Sequence, residues 1–175
     1  MGNDTANRDW RWWTRVIVFG RSPQWTLVRI VVLIITVFVT WKFIIRPMRV
    51  EGPSMSPTCQ ERSIKFLNRL AYLRHEPRRY DVVAIRFTGE SIMLMKRIVA
   101  LPGEKVEFIE GKLYINDKPL EEPYLRRPCR WSFAPEQPVL GPDEYYVVGD
   151  NRAMPEENHT KGIVRRAKIV GKVIL

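Results

Sequence analysis

Histidine and cysteine are scarce in this 175-residue chain, with two of each. Cys59 and Cys129 lie far apart, and no CxxC or Cys/His ligand spacing occurs. That argues against a zinc site, and no metal or cofactor is expected. The two cysteines leave two options open: a disulfide, if the domain lies outside the cytoplasm, or two free thiols. There is no internal repeat and no low-complexity tract, which argues against a solenoid or a disordered array. RNA-recognition, zinc-finger and basic-zipper patterns are also missing. The net charge of +10 is spread over isolated pairs such as Arg78-Arg79, Arg126-Arg127 and Arg165-Arg166. A nucleic acid is therefore not the expected partner; an anionic membrane surface suits the charge better.

One long hydrophobic run is present. Residues 30–41 (IVVLIITVFVTW) hold no charge and no breaker, and with their flanks they predict a transmembrane helix over 25–46. At about 1.5 Å per residue, the 21 residues from Trp25 to Ile45 reach roughly 31 Å, the thickness of a bilayer's hydrocarbon core. Arg29 and Lys42 sit one turn inside each end, where their side chains can snorkel outward. Trp25 and Trp41 suit the interfaces, and Pro47 is expected to stop the helix. A cleaved signal peptide fits poorly, because 24 residues precede the run and bulky Phe43, Ile44, Ile45 and Arg46 stand where a small-x-small site would lie. A buried core helix is the other alternative. Residues 1–24 form a tail whose stretch 9–19 (DWRWWTRVIVF) either lies on the membrane surface or is unstructured. Five arginines precede the apolar core, against Arg46, Arg49, Arg62 and Lys65 after it. This balance only slightly favours a cytoplasmic N-terminus.

After Pro47 the pattern changes. Short β-like runs recur at 81–87, 92–101, 105–109, 112–115, 145–148 and 168–175. Turn signals separate them: Pro102-Gly103, Glu110-Gly111, Asn116-Asp117, Gly141-Pro142 and Gly149-Asp150-Asn151. Residues 47–175 thus read as a mainly β domain. Residues 123–142, rich in Pro and Arg, read as a long surface excursion.

The chemistry starts at Gly52-Pro53-Ser54-Met55-Ser56-Pro57-Thr58. Glycine and two prolines hold one serine hydroxyl at a fixed angle, as a nucleophile requires. The same pattern also describes an ordinary tight turn; Met55 reads as core or membrane-facing packing. A serine needs a base. His75 lies in a charged stretch and reads as surface. Lys96 stands in the apolar run IMLMKRIVAL, where alternation puts Leu94, Lys96 and Ile98 on one face and Met95, Arg97 and Val99 on the other. Desolvated there, its amine would lose its proton more easily; a solvent-facing strand end is the alternative.

Four blocks then occur in order: Gly52-Pro53-Ser54-Met55-Ser56-Pro57-Thr58, Arg79-Tyr80-Asp81-Val82-Val83, Lys96-Arg97-Ile98-Val99-Ala100-Leu101-Pro102-Gly103-Glu104, and Gly149-Asp150-Asn151-Arg152. In this order, after an apolar span, the chain resembles bacterial signal peptidase I. The resemblance implies a β-rich signal-peptidase-type catalytic domain, with Ser54 as nucleophile and Lys96 as general base. It implies a single-pass protein of the inner (plasma) membrane whose catalytic domain is extracytoplasmic. Its partners would be the lipid bilayer and the signal peptides of preproteins, cut after small residues. A mitochondrial inner-membrane or thylakoid setting is the alternative.

Two departures stand out. Some family members carry a hydroxyl donor two residues before the nucleophile, where this chain has Gly52. After Arg152 the chain continues Ala153-Met154-Pro155-Glu156-Glu157-Asn158-His159, placing Pro155 where a lysine-orienting serine is usual. Glu157 stands for an aspartate and His159 for an arginine. Thr160, His159 or water is then expected to position Lys96. An Arg97–Asp150 pair is expected, with Glu157 and His159 near it. Pro155 also supports a second reading, a catalytically impaired relative that binds exported segments. A self-cleaving repressor-type protease is disfavoured, because an apolar span stands where its DNA-binding domain would be.

Overall fold

The computed structural model describes residues 23–86, 93–127 and 129–175. The expected tail, with its stretch 9–19, lies outside the described residues as far as residue 22. The chain divides into two compact units, Met1–Phe43 and Ile44–Leu175.

In the first unit, α1 runs from Pro23 to Val39 and passes into a π-helical turn, Thr40–Ile44. Proline opens the helix at little cost, because the N–H it lacks would have no partner in the first turn. The apolar side chains of α1 are exposed, Leu27, Leu33, Ile34 and Phe38 among them. The helix is shorter than the 25–46 span the sequence suggests. Its 17 residues reach about 26 Å, and no helix among the described residues is long and apolar enough to cross a membrane. The difference lies at the C-terminal end, where Ile45 and Arg46 already belong to a strand. Pro47, expected as a helix stop, sits inside that strand opposite Phe66. It is tolerated because the strand is the outermost of its sheet, where a missing N–H breaks no ladder on the open side.

The second unit is mainly β. Its strands are β1 (Ile45–Arg49), β2 (Ile64–Asn68), β3 (Val82–Arg86), β4 (Met93–Ala100), β5 (Val106–Ile109), β6 (Lys112–Ile115), β7 (Lys118–Pro119), β8 (Glu144–Val148), β9 (Gly162–Arg165) and β10 (Ile169–Ile174). Seven form one antiparallel sheet in the order β1-β2-β10-β3-β4-β8-β9, and β5-β6-β7 form a second.

Strand alternation sorts the core. Met95, Val82, Ala84 and Leu67 share one cluster with Met55 and Cys59. Val83, Ile85, Ile98 and Val147 share another. A third holds Val99, Phe108, Leu113, Tyr146 and Val148. Residues 123–142 are more than the surface excursion their composition suggests. Trp131 and Leu140 are buried in that third cluster, and Phe133 bridges to Phe108 with stacked rings. The aromatics draw the segment inward, since burying each removes a large apolar area from water. Both cysteines are free thiols, Cys59 in the core and Cys129 half-buried.

Candidate active site

Ser54 is the middle residue of a single 3₁₀ turn, Pro53–Met55. Gly52 leads into that turn at φ 80°, ψ 159°, a region open essentially only to glycine. Met55 anchors the other side by burying its side chain among Val82, Ala84 and Met95. One residue thus supplies the bend and another the plug, with the serine between them. The turn packs against β4. Its main chain is tied to the segment after β8: the Asn151 N–H donates to Ser54 O at 2.9 Å, and Asn151 Nδ2 donates to Pro53 O at 3.1 Å.

The turn enters where the sheet parts. The β4–β8 ladder ends at the pair Arg97–Val148, whereas β4 stays paired to β3 as far as Met93. Along residues 93–96, the other edge of β4 has no strand partner among the described residues. One step beyond Arg97–Val148, the same register sets Lys96 opposite Gly149. A Cβ on Gly149 would lie 2.2 Å from Ser54 O and 2.8 Å from His159 Cε1 and Nε2. Only a hydrogen fits there, and the lack of a side chain lets serine turn, strand and histidine converge.

Lys96 is 3 % exposed. It lines a cavity of about 100 Å³ with Ile85, Leu94, Val147, Ile163 and Thr160. Burial pulls its pKa from 10.5 to about 8, against the opposing pull of the Asp150 carboxylate. Among the described residues its ammonium has no hydrogen-bond partner.

Arg97, on the opposite face of β4, meets Asp150 in a two-pronged ion pair, Nε–Oδ1 2.8 Å and Nη2–Oδ2 2.6 Å. Arg97 Nη1 donates to Tyr80 O, Thr58 Oγ1 donates to Asp150, and the Tyr124 ring lies 4.0 Å from the guanidinium. The pair is buried and fully hydrogen-bonded, the condition under which a buried ion pair is tolerated. It fastens β4 to the segment after β8, on either side of the Ser54 turn.

His159 is buried, close to Gly149 and edge-on to Trp131 at 4.7 Å. Glu157 is exposed and sits outside the Arg97–Asp150 network, although it and His159 border the same open cleft. Pro155 is exposed and borders a different cavity, with Arg127 and Trp131. A further ion pair was not singled out from sequence: Arg152, fully buried, donates to Glu122 and to Gly149 O, with its guanidinium over Phe108. Its signal was available, since Arg152 closes the fourth block. Glu122 lies in a loop with no pattern of its own.

The sequence model of the family described as Signal peptidase, peptidase S26, matches residues 24–175. This chain belongs to that family. Among its signal peptidase relatives, signal peptidase IB of Staphylococcus aureus is 28% identical over 166 residues, covering 86% of each chain. Signal peptidase I of Leptolyngbya laminosa is 30% identical over 141 residues, 76% of this chain and 68% of the relative. A crystal structure of a signal peptidase I from Enterococcus faecalis V583 superposes with a TM-score of 0.47 at 28% identity, covering 56% of this chain and 97% of that one.

Proposed function

We propose that this peptidase is a membrane-anchored serine endopeptidase that removes signal peptides from exported preproteins after small residues. In this reading α1 and its flanks hold the chain in the plasma (inner) membrane, with the β domain on the extracytoplasmic side. The observation that carries the mechanism is a buried, readily deprotonated amine on the strand against which the Ser54 turn packs, in a chain of this family. At pH 7.4 a pKa of about 8 leaves roughly a fifth of the lysine as free amine. Ser54 Oγ attacks the scissile carbonyl carbon as its proton passes to Lys96. The oxyanion accepts a hydrogen bond from the Ser54 backbone N–H, Gly52 having no hydroxyl to add. The C–N bond breaks, the ammonium returns its proton to the leaving amine, and Lys96 then activates water against the acyl-enzyme. The unpaired edge at residues 93–96 suits an extended peptide added as a strand. The cavity beside Lys96, about 100 Å³, suits a small side chain.

The test uses detergent-solubilised protein and a preprotein with an Ala-x-Ala site. Wild type is expected to cut it, with Ser54→Ala and Lys96→Ala reducing the rate at least about a thousandfold. Cleavage surviving in either variant would sink the dyad. Pro155 supports a second reading, a catalytically impaired relative that binds exported segments; wild type that binds the preprotein without cutting it would select that reading.

A further inference from the structure

Two polar side chains without a hydrogen-bond partner among the described residues flank Gly149: the strand register sets Lys96 opposite it, the His159 ring lies against it, and the Lys96 charge is felt at that ring. The His159 imidazole is 4 % exposed, and its Nδ1 and Nε2 are both shut off from solvent without a hydrogen-bond partner. A neutral imidazole offers one donor and one acceptor, and leaving both empty in a protein interior is costly. The Thr160 carbonyl lies near enough to favour a proton on the ring, but neither nitrogen reaches it in bonding geometry.

The surroundings decide how the ring is charged. Lys96 on β4, Arg152 in the turn after β8 and Lys161 just before β9 all disfavour the imidazolium, and burial disfavours it most, so the pKa falls to about 3. The ring is therefore neutral wherever the enzyme works. It has an sp² lone pair and no charge, which suits it to receive an N–H without competing for the proton in transit.

The other groups near the lysine are poorer partners. Pro155 has no donor, is exposed and borders another cavity. Thr160 borders the Lys96 cavity but is exposed, so water can satisfy its hydroxyl. The His159 ring nitrogens are closed to solvent and have no hydrogen-bond partner among the described residues. The ring is held by the Trp131 ring on one side and by the Gly149 hydrogen on the other.

We infer that His159 is the positioning residue for Lys96: its imidazole accepts an N–H from the amine and aims the amine's lone pair at the Ser54 hydroxyl. The inference rests on Lys96 being the base. As Ser54 gives up its proton, Nζ becomes an ammonium, and the bond to the ring persists through the change. The ring takes no proton and forms no covalent bond, so the dyad's proton balance is unchanged.

Two measurements test it on the full chain in detergent. The first compares His159→Phe, which keeps a ring against Trp131, with His159→Gln, which keeps a polar acceptor. His159→Phe is expected to lower kcat roughly a hundredfold, the scale of a small misplacement of a reacting group, with KM near wild type. His159→Gln is expected to recover most of that loss. Near-wild-type kcat in His159→Phe, or equal loss in the two, overturns the inference. The second measurement needs no activity. The chain has only two histidines, so ¹⁵N-imidazole spectra resolve both. Lys96→Met is expected to shift a ring nitrogen of His159 and leave His75 unchanged. An unmoved His159 overturns the inference even if the Ser54–Lys96 dyad stands, and a shifted His159 in an enzyme indifferent to Lys96→Ala isolates failure of the dyad itself.

Discussion

Lys96 carries an energetic cost beside the chemical role proposed for it. In the unfolded chain its ammonium keeps its proton to about pH 10.4, and in the folded protein only to about pH 8. Between those values the unfolded state binds more protons, so stability rises with pH across that window. Below pH 8 the native state bears the full penalty of an ammonium out of water. Lys96→Met is therefore expected to abolish cleavage while stabilising the fold at pH 7 by at most about 3 kcal/mol. Urea denaturation at pH 7 and pH 10 checks this, with the difference shrinking at the higher pH. The burial of Lys96 was legible in the sequence, because IMLMKRIVAL leaves a strand lysine between aliphatic neighbours. That of His159 was not. Its stretch, Glu156-Glu157-Asn158-His159-Thr160-Lys161, is polar throughout, and the ring is enclosed by Trp131 and Gly149, which come from other parts of the chain.

At the level of elements, the site depends on how β8 ends. Gly149 follows its last residue, and any side chain there would strike the Ser54 carbonyl. Gly149→Ala is expected to cost about 1–3 kcal/mol by overpacking and to displace the turn, lowering kcat more than it raises KM. Denaturation and steady-state kinetics on the one variant check both. The block Gly149-Asp150-Asn151-Arg152 was visible as a motif, but the reason for its glycine was not, since the contact is with a segment nearly a hundred residues earlier. β1 was missed altogether. Its sequence, IRPMR, has a proline at its centre and no clean alternation, and it becomes a strand only because β2 offers an edge. Residues 123–142 were misread for a related reason: prolines and arginines dominate their composition, while Trp131, Phe133 and Leu140 determine their path.

For the whole molecule, the mainly β character followed from the regular turn signals. The strand order did not, because β10 inserts between β2 and β3 and only tertiary contacts specify that pairing. The sheet domain, Ile44–Leu175, is a compact unit of its own. A chain of residues 44–175 is expected to melt within a few degrees of the same domain in the full chain and to cut a soluble Ala-x-Ala peptide. It is expected to process a preprotein held in liposomes at least about tenfold more slowly, through loss of effective concentration at the membrane. Calorimetry and the two cleavage assays check these outcomes. The parting of β4 from β8 also bears on self-association. Open strand edges ordinarily recruit other copies of a chain and seed aggregation. Here the open edge is short and lies in the interior of the sheet, with the Ser54 turn and the segment after β8 at its end. A short interior edge is a smaller target for a strand of a neighbouring folded molecule than a full outer strand would be. If a single extended polypeptide is the substrate, as proposed, the short edge that would admit it is also a small target for other copies of the protein.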